Sequence, residues 1–294
     1  MTTERQLPSI AAERRPPSMR RSDRQRGIAA IIGMTLLSIV VLIPIYYLIV
    51  TTFKTTVEAA QSPMALPTSF DFSVYVNAFV KMQYPRAFLN TLLITAGSVI
   101  GVIAVGSMAG WVLNRKSRSK IAGAILLLLL AGLMFPYQMS ILGLYDVVRG
   151  LGLMNNQLAV ILINITVNLP FATFLFYTFT TSIPKELEEA AGIEGAGVFR
   201  TFVTIVFPLL RPAVITVAIL NTLSVWNDFM GPLYFLQSRE KQVIIQEVYR
   251  NVGQFSTDWA SLFPMMVLGV LPLVIFYLIL QRYIIGGVAG SIKG

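Results

Sequence analysis

Residues Ile28 to Val50 run for 23 positions without a charged side chain. At the helical rise of about 1.5 Å per residue, such a run is long enough to cross the roughly 30 Å apolar core of a bilayer. Five more stretches of the same character follow, at about 88–113, 121–144, 158–178, 213–236 and 263–285. The expectation is an all-α membrane protein with six transmembrane helices. Composition agrees: 13% of the residues are charged, against about 25% in ordinary soluble domains.

The segment ahead of the first span, residues 1–26, holds seven arginines, the tandem Pro16-Pro17 and almost no large apolar side chains. It reads as a disordered basic tail. A secretory signal would have a shorter basic region, a shorter apolar core and a small-residue cleavage site. Residues 27–294 then form one transmembrane domain. Six spans place both ends of this domain on one side, and the basic residues test which side. With the tail inside, the inner segments carry 16 of the 23 Lys and Arg: seven in the tail, four in 114–120, three in 181–212 and two at the C-terminus. This excess assigns both termini to the cytoplasm. The net charge of +9 is therefore a topology and lipid-headgroup signal, and nucleic acid is not expected as a partner.

The external segments are Thr51 to Ala87, a short turn around Asp146, Arg149 and Asn155, and Gln237 to Leu262. A short surface helix is expected over Phe72 to Phe79. Within the second span, Gly97 and Gly101 are four apart, as are Gly106 and Gly110. Small residues at that spacing let membrane helices approach closely.

The chain contains no cysteine and no histidine. It therefore lacks thiolate and imidazole ligands, and the commonest general base. It also lacks the G-x-x-x-x-G-K-[ST] loop that cradles nucleotide phosphates, so ATP and its Mg would have to be bound by another chain. An embedded enzyme is disfavoured on these grounds. An ion-driven secondary transporter is disfavoured by the absence of internal repeats and of acids at mid-membrane.

The longest polar interruption in the second half is Ser182 to Pro212. Ser182 and Pro184 are helix-start residues, and Glu186, Glu188 and Glu189 follow where carboxylates suit the positive end of the helix dipole. Leu187, Ala190 and Ala191 share one helical face. Gly192, Gly195 and Gly197 break the helix, and a second short helix is expected over about Phe199 to Val206, before Pro208. The pattern is a rigid helix–turn–helix knob with a small-residue face beside an acidic one.

This stretch resembles the EAA loop of the membrane subunits of bacterial ABC importers. The matching residues are Glu189-Ala190-Ala191, Glu194-Gly195-Ala196, Ile205 and Pro208. The chain has Glu194 where the carbohydrate branch usually has Asp, and Gly197 where it usually has Ser. Trp226-Asn227-Asp228-Phe229 is similar to that branch's W-N-[DE]-F stretch, and Gly286 to Gly294 is similar to its C-terminal ending. Phe88-Leu89-Asn90-Thr91 and Thr52-Phe53-Lys54 also fit. The resemblance covers about residues 28–294 and points to the smaller, G-type subunit of maltose-like permeases. It implies a type I importer (MetI-like) permease fold, with the loop as a coupling helix docking an ATPase through Glu186, Glu189, Ala190, Ala191, Glu194, Gly195, Ala196 and Pro208. It also implies a second unlike permease subunit, two ATPase subunits and an extracellular or periplasmic solute-binding protein.

Asp228 is the one acid expected within a span, toward the outer end. With Tyr137, Gln138, Asn221, Trp226 and Asn227 it forms the expected lining of a path for a hydroxyl-rich solute, because amides donate and accept and aromatic faces suit sugar rings. An intramembrane acid is costly unless it faces a partner or water. Outside this set, the fourth span carries Asn164, Asn168 and Pro170. A sugar, oligosaccharide or polyol is the expected solute, with a sugar phosphate as the alternative. No cofactor is expected on this chain.

Overall fold

The computed structural model describes residues 21–252 and 258–291. The expected tail before Arg21 and the end of the chain after Ser291 lie outside the described residues. The chain divides into two units, one ending at Leu48 and the other starting at Ile49.

The first unit holds most of α1, Arg21–Thr51. The helix takes in residues 21–26, which composition had assigned to the disordered tail. Arg and Gln are good helix formers, and adding residues to an existing helix is cheap compared with starting one. No part of its apolar window is buried.

In the second unit, α2 (Thr56–Gln61) and α3 (Ser73–Lys81) are short; the latter is the surface helix expected over Phe72 to Phe79. The long α4 (Tyr84–Arg115) follows. Next come α5 (Lys120–Gly132), α6 (Tyr137–Gly150) and α7 (Gln157–Thr180). The polar knob contains α8 (Glu186–Ile193) and α9 (Val198–Thr201), a π-helical turn over Phe202–Val206, and α10 (Phe207–Leu209). Then come α11 (Arg211–Trp226), α12 (Met230–Phe235), α13 (Ile244–Arg250) and α14 (Trp259–Ser291). Among the described residues, four helices are each long and apolar enough to cross a membrane, and the number reaches six if each of two bent pairs is one span.

Both bent pairs revise the expected spans. The stretch expected as a straight helix over 121–144 is broken between α5 and α6, which meet at 104°. Pro136 lacks the N–H a continuing helix needs and pushes Phe135 out of helical conformation. The stretch expected over 213–236 stops at Trp226. Asn227 turns its side-chain amide back to the Leu223 carbonyl at 2.8 Å, and Asp228 Oδ1 takes the Gly231 N–H at 3.1 Å. Side chains that bond nearby backbone in this way compete with the helical ladder. Helix α11 in turn meets the Val198–Leu209 segment at 75°.

The α4–α7 pair is the backbone of the second unit. All four glycines of α4 face α7. A Cβ added at Gly97 would lie 3.0 Å from Ile161, at Gly101 2.2 Å from Ile165, at Gly106 3.3 Å from Ala172 and at Gly110 2.7 Å from the Tyr177 nitrogen. The i, i+4 spacing does what the sequence reading expected: it lets two backbones meet.

Two polar clusters mark opposite ends of α4. Near its start, the fully buried Glu247 of α13 receives Arg86 and, at 3.1 Å, Arg239. Near its end, Arg115 meets Glu188 at 2.7 Å.

Candidate functional site: an exposed knob and a polar cavity

The knob is built on α8. Its first turn carries Glu186, Glu188 and Glu189, which complement the positive end of the helix dipole. Its end is closed by a Schellman pattern: Ala196 N–H bonds the Ala191 carbonyl at 2.9 Å and Gly195 N–H the Gly192 carbonyl at 3.0 Å. This cap needs a left-handed residue, and Gly195 supplies it at φ +83°. Gly197 then starts α9, and the π turn ahead of Pro208 forms where the proline cannot donate to a regular ladder.

The rear of the knob is fastened by Glu188, which the sequence reading did not place in the site. Glu188 Oε1 accepts from Arg115 Nε at 2.8 Å, and both its oxygens accept from Trp111 Nε1 at 3.1 Å. Arg115 Nη2 also donates to the Ile183 carbonyl at 2.9 Å. Asn114 extends the lock to α7, donating to the Tyr177 carbonyl at 3.0 Å and to Thr181 Oγ1 at 2.9 Å. Beneath this, Phe202 packs on Trp111 with ring centroids 5.2 Å apart. The helical period could have found Glu188: it shares the inward face with Ala191, three positions on.

The front of the knob is open. Glu186, Glu189, Ala190, Glu194, Gly195 and Pro208 are exposed, and Ala196 is partly so. Ala191 is only 7% exposed. It packs inward, so it leaves the docking set and acts as the spacer that seats α8. Three apolar side chains unremarked in the sequence stand out instead: Ile193 is 89% exposed, Val198 74% and Phe199 73%. Such a rim of apolar and acidic groups on a rigid helix marks a contact surface.

The second feature is a cavity of about 100 Å³, lined by Tyr137, Ile163, Asn164, Val167, Asn168, Ser224 and Asp228. The bend before α6 delivers Tyr137, α7 delivers Asn164 and Asn168 one turn apart, and the break after α11 delivers Asp228. Asn164 Nδ2 donates to Asp228 Oδ2 at 3.2 Å, joining α7 to that break.

Of the six side chains expected to line a path, the cavity takes Tyr137 and Asp228. The other four lie outside it. Trp226 is buried, donates to the Gly269 carbonyl at 3.2 Å and packs edge-on against Phe88; it ties α11 to α14 and α4. Asn221 is buried and bonds its own helix at the Val217 carbonyl. Asn227 is exposed and serves the end of α11, and Gln138 is exposed outside the cavity. Asn164 and Asn168 were visible as an i, i+4 amide pair. Ser224 was not, because one serine in an apolar helix carries no periodic signal.

A family described as binding-protein-dependent transport system inner membrane component matches residues 102–289. Among curated proteins, the chain is 34% identical to the diacetylchitobiose uptake system permease protein NgcG of Streptomyces coelicolor, over 95% of this chain and 97% of that one. It is 33% identical to the melibiose/raffinose/stachyose import permease protein MelC of Bacillus subtilis, over 86% and 91%. It is 29% identical to the trehalose/maltose transport system permease protein MalG of Thermococcus litoralis, over 93% and 99%. Among solved structures, a bacterial ABC transporter involved in the import of the acidic polysaccharide alginate aligns with a TM-score of 0.78. It is 21% identical and covers 91% of this chain and 99% of that one; the likeness is one of fold.

Proposed function

The chain belongs to the binding-protein-dependent transport system inner membrane components, and from that premise we propose that it is one half of the membrane channel of an ATP-driven carbohydrate importer. The relatives that span nearly the whole chain are sugar permeases, which supports a sugar, oligosaccharide or polyol as the solute. The chain does no catalysis. ATP and Mg are held by two ATPase subunits, which grip the knob from the cytoplasm. A second, unlike permease subunit completes the channel, and a solute-binding protein delivers the solute on the other face. Both termini lie in the cytoplasm, following the excess of Lys and Arg in the same segments as the knob.

The observation that carries this reading is the knob's two-sided construction. Its front presents Glu186, Glu189, Ile193 and Phe199 outward, while Glu188 is bonded to Arg115 and Trp111 of α4 behind it. A force applied to α8 is therefore passed to α4 and, through Asn114, to α7. ATP-driven closure of the ATPase pair would move the knob and tilt these two helices, exposing the path alternately to each side.

The test is purification of the tagged chain from its native membrane. An ATPase and a second permease should co-purify, and hydrolysis should rise when the binding protein loaded with a sugar is added. Gly195→Val should remove the ATPase, because a β-branched residue at φ +83° costs about 1–2 kcal/mol and unseats the Schellman turn. A preparation without ATPase, or full assembly and uptake by Gly195→Val, contradicts the docking assignment.

A further inference from the structure

The cavity between α6, α7 and the α11–α12 break has a lopsided chemistry. Its lining contains one acid, Asp228, and no basic residue, and Asp228 takes part in no ion pair among the described residues. Each of its oxygens accepts one N–H bond, Oδ2 from Asn164 and Oδ1 from the Gly231 backbone. Opposite, the Tyr137 hydroxyl is buried and bonds nothing among the described residues, so it is free both to donate and to accept. Asn168 spends its amide N–H on the Asn164 carbonyl at 2.8 Å, which leaves its oxygen available as an acceptor. Gly231 is required here: a Cβ at that position would lie 2.5 Å from Asp228 Oδ2 and 3.5 Å from the Tyr137 oxygen. Any side chain in place of this glycine would fill the space between the acid and the phenol.

The volume of about 100 Å³ has room for several waters and is too small for a whole sugar ring. The exposed Ser224 and the partly exposed Asn168 and Asp228 open it to the surface. We propose that this cavity is a solute-contacting station that receives hydroxyl-bearing or ammonium-bearing edges of the passing solute and repels anionic ones, with Asp228 as the selecting residue. The inference rests on the importer reading and deepens it: neutral and amino-bearing glycosides or polyols pass, while uronates and sugar phosphates are disfavoured. The physical basis is the Coulomb term. A unit charge a few ångströms from an unpaired carboxylate, in surroundings drier than bulk water, is favoured or disfavoured by enough to change its local concentration at least about tenfold.

The test uses charged thiol reagents as probes and needs no knowledge of the solute. The chain has no cysteine, so Ser224→Cys places a single reporter in the cavity. Asn168→Cys is the second reporter on the facing helix, should the first fail to assemble with its partners. In membrane vesicles carrying the complete transporter, a cationic and an anionic methanethiosulfonate are compared, each rate divided by that with a free thiol. The cationic reagent should react at least about tenfold faster. Adding Asp228→Asn should bring the two within about twofold. Equal rates with Asp228 present, or a preference that survives Asp228→Asn, overturn the proposal. So does reaction with neither reagent in any nucleotide state while a lipid-soluble maleimide reacts. These rates are read at the chain itself, so they stand apart from co-purification of an ATPase, whose absence would instead remove the importer reading.

Discussion

Glu188 and Glu189 are neighbours in sequence and face opposite ways. Glu189 is exposed on the front of α8; Glu188 is turned back onto Arg115 and Trp111. The helix dipole does not separate their roles, because both are acids in the first turn; the inward face that Glu188 shares with Ala191 does. Glu188→Ala removes an acceptor from a charged hydrogen-bond set and should cost about 1.5–3 kcal/mol, reduced somewhat by the partial exposure of the pair. It should lower the thermal unfolding temperature of the complex and the amount of sugar taken up per ATP, while the ATPase stays bound. Glu189→Ala should leave the unfolding temperature of the chain nearly unchanged, as surface substitutions do within about 0.5 kcal/mol, and should weaken retention of the ATPase in detergent. Identical behaviour of the two variants in both assays would show that α8 has no rear and front in this sense.

Helices differ in how plainly the sequence announces them. A close helix approach along α4 was legible, since four glycines at i, i+4 spacing within an apolar run let a second helix come near; that α7 is the partner was not. Gly110 is the tightest contact with backbone: an added Cβ would lie 2.7 Å from the Tyr177 nitrogen and 2.8 Å from the Thr173 carbonyl oxygen. Backbone cannot swing aside as a side chain can, so Gly110→Ala should cost about 1–3 kcal/mol by overpacking. The matching change at Gly143 in α6, where an added Cβ meets nothing within 4 Å, should be neutral or slightly stabilising, since Ala is the better helix former by up to about 1 kcal/mol. Comparing the two unfolding temperatures checks this, and an equal loss in both would mean that proximity to α7 is irrelevant. The breaks after α5 and α11 were not legible from hydropathy. Phe135-Pro136 and Asn227-Asp228 each lie inside a window whose mean is still apolar, and a mean does not record a missing N–H or a side chain bonding its own backbone. The cavity inherits this blindness, because Tyr137 and Asp228 sit at those two breaks. Of the residues singled out beside them for amide or aromatic character, Trp226 bonds the Gly269 carbonyl and Asn227 the Leu223 carbonyl.

Within the second unit, the hydrogen bonds sort the described polar segments into two sets. Asn155 Oδ1 receives the Ser238 N–H at 3.0 Å, Arg239 Nη2 donates to the Lys81 carbonyl at 2.8 Å, and Asn90 donates to the Glu240 carbonyl at 2.7 Å. These bonds join the segments after α3, α6 and α12. At the other end of α4, its last residues Asn114 and Arg115 bond Thr181, after α7, and Glu188 of α8. This is the partition that the count of Lys and Arg makes, arrived at through side-chain geometry and independently of charge excess. In the proposed orientation, which rests on the charge excess alone, the cytoplasmic set is the one with Arg115, Lys116, Arg118 and Lys120. The prediction belongs to this scale because it concerns every loop at once. Ser117 and Gln237 are exposed members of the two sets, and a single cysteine at either is unique in the chain. In intact cells, an impermeant maleimide should label Gln237→Cys and spare Ser117→Cys until the membrane is opened. The reverse pattern would turn the molecule over and put the knob beyond the reach of a cytoplasmic ATPase. Labelling of both from outside would break the partition that the hydrogen bonds and the basic residues share.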